Sequence, residues 1–315
     1  MSGKRGHAST VPEADLAAVI ASRHEALRTH LLPAREGDEV GVHQARVASR
    51  RLREVIPVLA TGLDELRLKP VRRRLRDVTR ALGPVRELDV ALGMIDDHVR
   101  DSDAGKELRG AWRALVLGKR RAPVRALRKA LGAADRATLH RQLDEVENAR
   151  AASVDLQWRD ALAASLTTRA RSLRAHIEQT GALFHAEPLH DVRIAAKKLR
   201  YALEITADTG LARLARPLAT LKKAQDVLGQ LHDLDVLGAL LAALPDAAAG
   251  ESLHEEAASV AAALDHEARL LHARYLRTRP TLVRITDFTL DELVVTVRPS
   301  SRRRQSSRKG TRRGR

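Results

Sequence analysis

One helical phrase occurs twice in this chain, and no other feature constrains the fold as much. Residues 42–53 read VHQARVASRRLR, and residues 189–200 read LHDVRIAAKKLR. His43, Arg46, Ala48, Leu52 and Arg53 return as His190, Arg193, Ala195, Leu199 and Arg200, while Arg50 and Arg51 return as Lys197 and Lys198. The copies lie about 147 residues apart, a domain length rather than a solenoid period. A second phrase behaves alike. Leu82-Gly83-x-Val85-Arg86-Glu87-Leu88-Asp89-Val90 matches Leu228-Gly229-x-Leu231-His232-Asp233-Leu234-Asp235-Val236. The pattern predicts a duplicated unit that presents one basic surface twice.

The side chains available for a core point to helices. Hydrophobic residues make up 44% of the 315, yet aromatics only 2%. The interior must therefore be Ala, Leu and Val, which suits helix packing better than sheets. There is no cysteine, so disulfides, thiolate metal sites and thiol catalysis are excluded. No apolar run approaches the roughly 20 residues of a membrane span, and the N-terminus has no signal-peptide pattern. A soluble cytoplasmic protein without a membrane partner is the expectation.

Breakers divide the periodic stretches into expected helices. The first covers about 12–32, ended by Pro33. The second spans about 39–61, and a third runs from near Pro70 to Gly83-Pro84. A short fourth covers about 86–99, which places Asp89, like Asp235, near a helix N-terminus. Further helices are expected at about 106–131, 135–154, 158–180, 211–228, 234–244 and 252–276, with the repeated phrase opening the second half at Pro188. Only Leu290–Arg298 reads as a strand. The expected organisation is a disordered N-terminus over 1–11, a first bundle over 12–181 and a second over 182–280. Residues 281–315 would hold the strand-like segment and a disordered, Arg-rich tail.

Charge decides what such a protein meets. The net charge is +16. From Arg298 to the C-terminus there are nine basic residues and no acid, and from Val40 to Arg86 twelve basic residues face four acids. On a helical wheel with His43 at zero, Arg50 lies at about −20°, Arg46 at about −60° and Arg53 at about −80°. Ala45, Ala48, Leu52 and Ile56 gather opposite. His190, Arg193, Lys197 and Arg200 repeat the arc. Like charges stacked at these spacings repel, so the stripe calls for an anion from outside the helix. Arg72, Arg73 and Arg76 extend the basic surface from the third helix, and Lys222 and Lys223 are its thinner counterpart. Guanidinium forks match phosphate oxygens, and the scarcity of aromatic platforms disfavours stacked bases.

His43 and His190 sit beside arginines that would repel a metal ion. They are expected to donate to an anion, with an imidazole pKa that rises beside it. The His190-Asp191 and His232-Asp233 pairs are too few for a metal-dependent phosphohydrolase. No catalytic residue, cofactor or metal site is expected.

At these two phrases the sequence resembles the CHAD family, the conserved-histidine α-helical domain, over about residues 12–277. The resemblance implies an all-α fold of duplicated helical bundles with pseudo-twofold symmetry around a basic groove or channel. It also implies non-enzymatic binding of inorganic polyphosphate, with targeting to polyphosphate granules. The site carried over is His43, Arg46, Arg50, Arg53, His190, Arg193, Lys197 and Arg200, with Arg51 and Lys198 in support. Some relatives join this domain to a triphosphate-tunnel hydrolase, whose Glu-x-Glu-x-Lys strand motif is missing here. Arg86-Glu87 stands where the second copy has His232-Asp233, so the halves need not bind equally. The alternative reading is a nucleic-acid or nucleoid-associated protein acting through the basic face and the Arg-rich tail.

Overall fold

Helices begin where an aspartate can satisfy the free N–H groups of a first turn. In the computed structural model, Asp15 accepts from the Ala18 N–H at 3.1 Å and opens α1 (Leu16–Glu36). Asp38 accepts from the Gly41 N–H at 2.6 Å and opens α2 (Glu39–Leu59). Asp64 accepts from the Leu66 N–H at 2.9 Å and opens α3 (Glu65–His98). There follow α4 (Asp103–Ala130), α5 (Ala133–Ala151), α6 (Gln157–Gln179), α7 (Ala186–Asp208), α8 (Ala215–Leu241) and α9 (Glu251–Phe288). A single π-helical turn, Thr289–Leu293, leads into the short α10 (Val294–Val297). The structure describes residues 15–99, 103–154, 156–181, 186–244 and 251–298. The 1–11 segment and the Arg-rich tail lie outside them.

Consecutive helices pack on one another: α1 on α2, α2 on α3 and α3 on α4, then α6 on α7, α7 on α8 and α8 on α9. Helix α5 rests on α1 and α3. Helix α6, which the sequence reading places in the first bundle, packs chiefly on α7 and also holds α9 and α10. The two sets meet where α2 touches α6 and α7, where α3 touches α8 and α9, and where α4 touches α9. Arg169 on α6 fastens this junction. It pairs with Glu54 of α2 and donates to the Lys198 carbonyl of α7 at 2.9 Å. The core is mostly Leu, Val, Ile and Ala, with Trp112, Trp158 and Tyr275 fully enclosed.

Four expected boundaries are corrected. Pro33 does not end α1, which continues to Glu36 and closes on Gly37 at φ 86°. A left-handed residue is the usual helix stop, and glycine adopts it without strain. Gly83-Pro84 does not end a helix either, for α3 runs through it. Pro84 cannot donate to the Arg80 carbonyl, and beside that gap the Thr79 carbonyl accepts from Arg46 Nη1 at 3.2 Å. Gly229 likewise lies inside α8. Asp89 and Asp235 are therefore mid-helix residues. Finally, 290–298 is not a strand, and no strand occurs among the described residues. Leu293, Val294 and Val297 are buried, a spacing that forms one helix face against α6.

Candidate functional site

The polar stripes of the two repeated helices converge. His43, Arg46 and Arg50 of α2 and Arg193, Lys197 and Arg200 of α7 line one cavity of about 290 Å³. Helix α3 adds Arg86 and Glu87, and α8 adds His232 and Asp233. Six cationic side chains thus face two carboxylates. Arg169 keeps α2 and α7 side by side, and Glu204 takes Arg51 of α2 and Arg200 of α7 at 3.5 Å each.

The charges strain against one another. Burial, then Arg50, Arg193, Arg46 and Arg200, pull Lys197 down to about 7. Burial and the neighbouring Arg50 lower Arg46 to about 10. Burial likewise lowers Arg193, although Asp233 opposes it. His43 is lowered by burial and by Arg86, and His232 falls to about 4 through burial, Arg193 and His190. The His43 and His232 imidazoles therefore both lie below the ordinary value. Burial even raises the Asp233 carboxyl despite Arg193, Arg86 and Lys197 around it. Burial first, and then neighbouring arginines, disfavour the charged forms of Arg46, Arg193 and Lys197, and an anion in the cavity would relieve all three.

The arginines at equivalent positions are held differently. Arg46 is anchored through Nη1 to the Thr79 carbonyl, and its guanidinium rests on Gly83. A Cβ at Gly83 would stand 2.9 Å from Arg46 Nη1, so glycine serves close approach here. A Cβ at Gly229 would meet nothing within 4 Å. Arg193 Nε is buried with no hydrogen-bond partner among the described residues. A buried, unsatisfied donor is costly, and this one belongs to a side chain that lines the cavity.

The remaining sequence-predicted residues lie elsewhere. Arg53 is half-buried beside the cavity and feels Arg50, Arg76 and Arg80. Arg76 is exposed. His190 lines an adjoining hollow with Asp191 and Asp235, its ring 5.0 Å from that of His232. Arg51 turns to a separate pocket that includes Arg23, Glu204 and Asp208. Arg72 pairs with Glu65, and Arg73 lies over a hollow shared with Lys69 and Arg74. Lys198, Lys222 and Lys223 are exposed outside the cavity. Sequence reasoning left Arg86, Glu87, Tyr201, His232 and Asp233 out of the site. Its own second repeated phrase held four of them, but reading Leu-Gly as a helix stop hid their place on the inner faces of α3 and α8. Asp89 is enclosed away from the cavity and accepts from Arg120 Nε at 2.6 Å, while Arg120 Nη2 donates to the Gly37 carbonyl at 2.7 Å. It holds α4 against α3 and the end of α1.

Comparison with known proteins agrees with this architecture. No curated protein matches the sequence. A crystal structure of the CHAD domain from the plant Ricinus communis shares the fold with a TM-score of 0.63 at 23% identity, covering 85% of this chain and 90% of its own. PptA from Streptomyces chartreusis aligns with a TM-score of 0.57 at 17% identity, covering 84% of this chain and 97% of its own. The sequence matches the CHAD domain over residues 18–242, a span that contains both repeated phrases and every helix lining the cavity, and the chain belongs to the CHAD domain family.

Proposed function

We propose that this protein binds inorganic polyphosphate without hydrolysing it, through the cavity between α2, α3, α7 and α8. The observation that carries the reading is the meeting of Arg46 and Arg50 with Arg193, Lys197 and Arg200 in one cavity. Burial, and then the repulsion of the four arginines, depress Lys197 to about 7. A chain of phosphates answers each feature: charge at short intervals, oxygens for guanidinium forks, and no bases to stack. Some members of the CHAD family bind polyphosphate, which favours this ligand over other polyanions. Arg53, Arg76 and Arg80 continue the positive field outward from Arg50, giving a longer chain a path across α2 and α3. The two repeated phrases act as halves of one duplicated basic groove. Granule association would follow from binding of long chains.

Competition tests the reading. Long-chain polyphosphate should displace duplex DNA from the full chain, and the double variant His43→Ala/Arg46→Ala should weaken polyphosphate binding at least tenfold. No phosphate should be released when a divalent metal is added. Equal or tighter binding of DNA, or an unchanged double variant, defeats the proposal.

A further inference from the structure

A second polar cluster lies outside the basic cavity, where α1 and α5 pack. His24 of α1 is buried, with a side chain only 2% exposed. Its Nδ1 lies 2.6 Å from Glu147 Oε1 and 3.6 Å from Asp144 Oδ1. On its other side, Nε2 lies 2.9 Å from His140 Nδ1. His140, Asp144 and Glu147 follow one another at i, i+4 and i+7 on α5, so one face of that helix carries all three. Nitrogen and carboxylate oxygen atoms of His24, Asp144 and Glu147 fall within 4.8 Å of one another.

We propose that His24, Asp144 and Glu147 bind a divalent transition-metal ion of the zinc class, with His140 as the outer partner that orients the His24 ring. The geometry fits. Zinc ligands at about 2.0–2.2 Å in a tetrahedron stand about 3.3 Å apart. The 3.6 Å edge is near that value, and the His24–Glu147 pair needs to open by less than an ångström. Ligating histidines commonly direct the second ring nitrogen to a hydrogen-bonding partner, and His140 holds that position here. One imidazole and two carboxylates suit zinc rather than calcium or magnesium, which prefer an all-oxygen set. Asp144 is 49% exposed, leaving a side open for entry and for a water as fourth ligand.

The surrounding charges are consistent with a cation. Among the described residues Glu147 has no lysine or arginine in ion-pair contact. Arg28 reaches Asp144 at 2.9 Å and Glu25 at 3.8 Å, and its charge also acts on His24 and Glu147. Arg136 acts electrostatically on His140. Three carboxylates thus gather around two histidines in a protein whose net charge is +16. Arg28, half-exposed, has room to swing from Asp144 when the ion enters.

The test uses the full chain, stripped with a chelator and dialysed. Isothermal titration with zinc chloride should give one site of micromolar or tighter affinity. Cobalt should produce the intense visible bands of a low-coordinate site, and calcium and magnesium should not compete. Asp144→Asn and Glu147→Gln should each weaken zinc at least tenfold, and His140→Ala should do so by about 10–100-fold. The exposed control His266→Ala should change nothing. Circular dichroism checks that each variant is helical; Asp144→Asn, at a half-exposed position, keeps the test decisive if the buried changes unfold the chain. Absence of binding to the wild type overturns the proposal. So does zinc held equally by Asp144→Asn and Glu147→Gln, which would assign it to surface histidines. Polyphosphate binding should be the same with and without zinc, so each proposal can fail alone.

Discussion

Lys197 is the residue in which the character of the basic cavity is most concentrated. Its ammonium is disfavoured first by burial and then by four arginines, so it titrates near 7 rather than at the usual 10.5. A bound polyanion reverses the electrostatic part of that penalty and raises the pKa, so binding takes up a proton. Affinity for polyphosphate is therefore expected to be greatest below pH 7 and to fall as pH rises above it. Lys197→Met should bind more weakly at pH 6 and show a flatter profile from pH 7 to 9, measured at constant ionic strength. Stability has its own sign. The folded pKa lies below the unfolded one, so between about 7 and 10.5 the unfolded chain binds more protons. Unliganded stability attributable to this lysine should then rise across that window. Thermal melts of Lys197→Met should lose this component and start from a higher midpoint at pH 7. A wild-type pH profile for binding identical to that of Lys197→Met would remove Lys197 from the site.

At the scale of the helix, glycine has two meanings in this chain, and the sequence shows only one. Gly37 ends a helix because the backbone turns left-handed there. Gly83 lies within α3 and makes room for Arg46. Gly229, at the matching place in α8, has open space where its side chain would be. Gly83→Ala should therefore displace the Arg46 guanidinium and weaken polyphosphate binding several-fold. Gly229→Ala should leave binding intact and stabilise α8 by about 0.5–1 kcal/mol, since alanine loses less backbone entropy in a helix interior. Binding titrations and denaturant melts of the two variants check both halves; equal loss of binding would refute the asymmetry. The same ambiguity explains which elements were legible. Helix type and the amphipathic faces of α2 and α7 follow local rules, whereas the cap at Asp64 starts α3 at Glu65, ahead of the start expected near Pro70. Pro33, Pro84 and Gly229 were misread as ends because the packing that carries a helix through such residues is not local. The Leu290–Arg298 segment alternated well enough for a strand, and only its burial against α6 makes it helical.

Across the whole molecule, the informative fact is that α2 and α7, distant in sequence, share a cavity while the exposed cations are scattered. Repetition of His-x-x-Arg marked both helices, and its stripes held Arg46, Arg50, Arg193, Lys197 and Arg200, which share the cavity, together with Arg53 and His190, which do not line it. It could not announce that Arg51 turns aside to Glu204 or that Arg72 is taken up by Glu65. The His24 cluster was likewise invisible, because its partners come from a helix more than a hundred residues away. This division between gathered and scattered cations can be measured through salt. Affinity for a polyanion falls with salt in proportion to the number of counterions released, by about 0.7–0.9 in the log–log slope per cation engaged for nucleic acids. Removing a gathered cation, as in Arg193→Ala or Arg50→Ala, should lower the slope by roughly that amount and weaken binding strongly at every salt concentration. Removing Lys222 or Lys223, exposed and outside the cavity, should leave the slope nearly unchanged. Removing Arg76, on the outward path from Arg50 and Arg53, should matter for long polyphosphate and not for short chains that fill the cavity alone. Titrations with two chain lengths over a salt series read all three effects. Equal slopes for Arg193→Ala and Lys222→Ala would mean that the ligand sees only the summed charge of the protein, and the cavity would lose its claim to be the site.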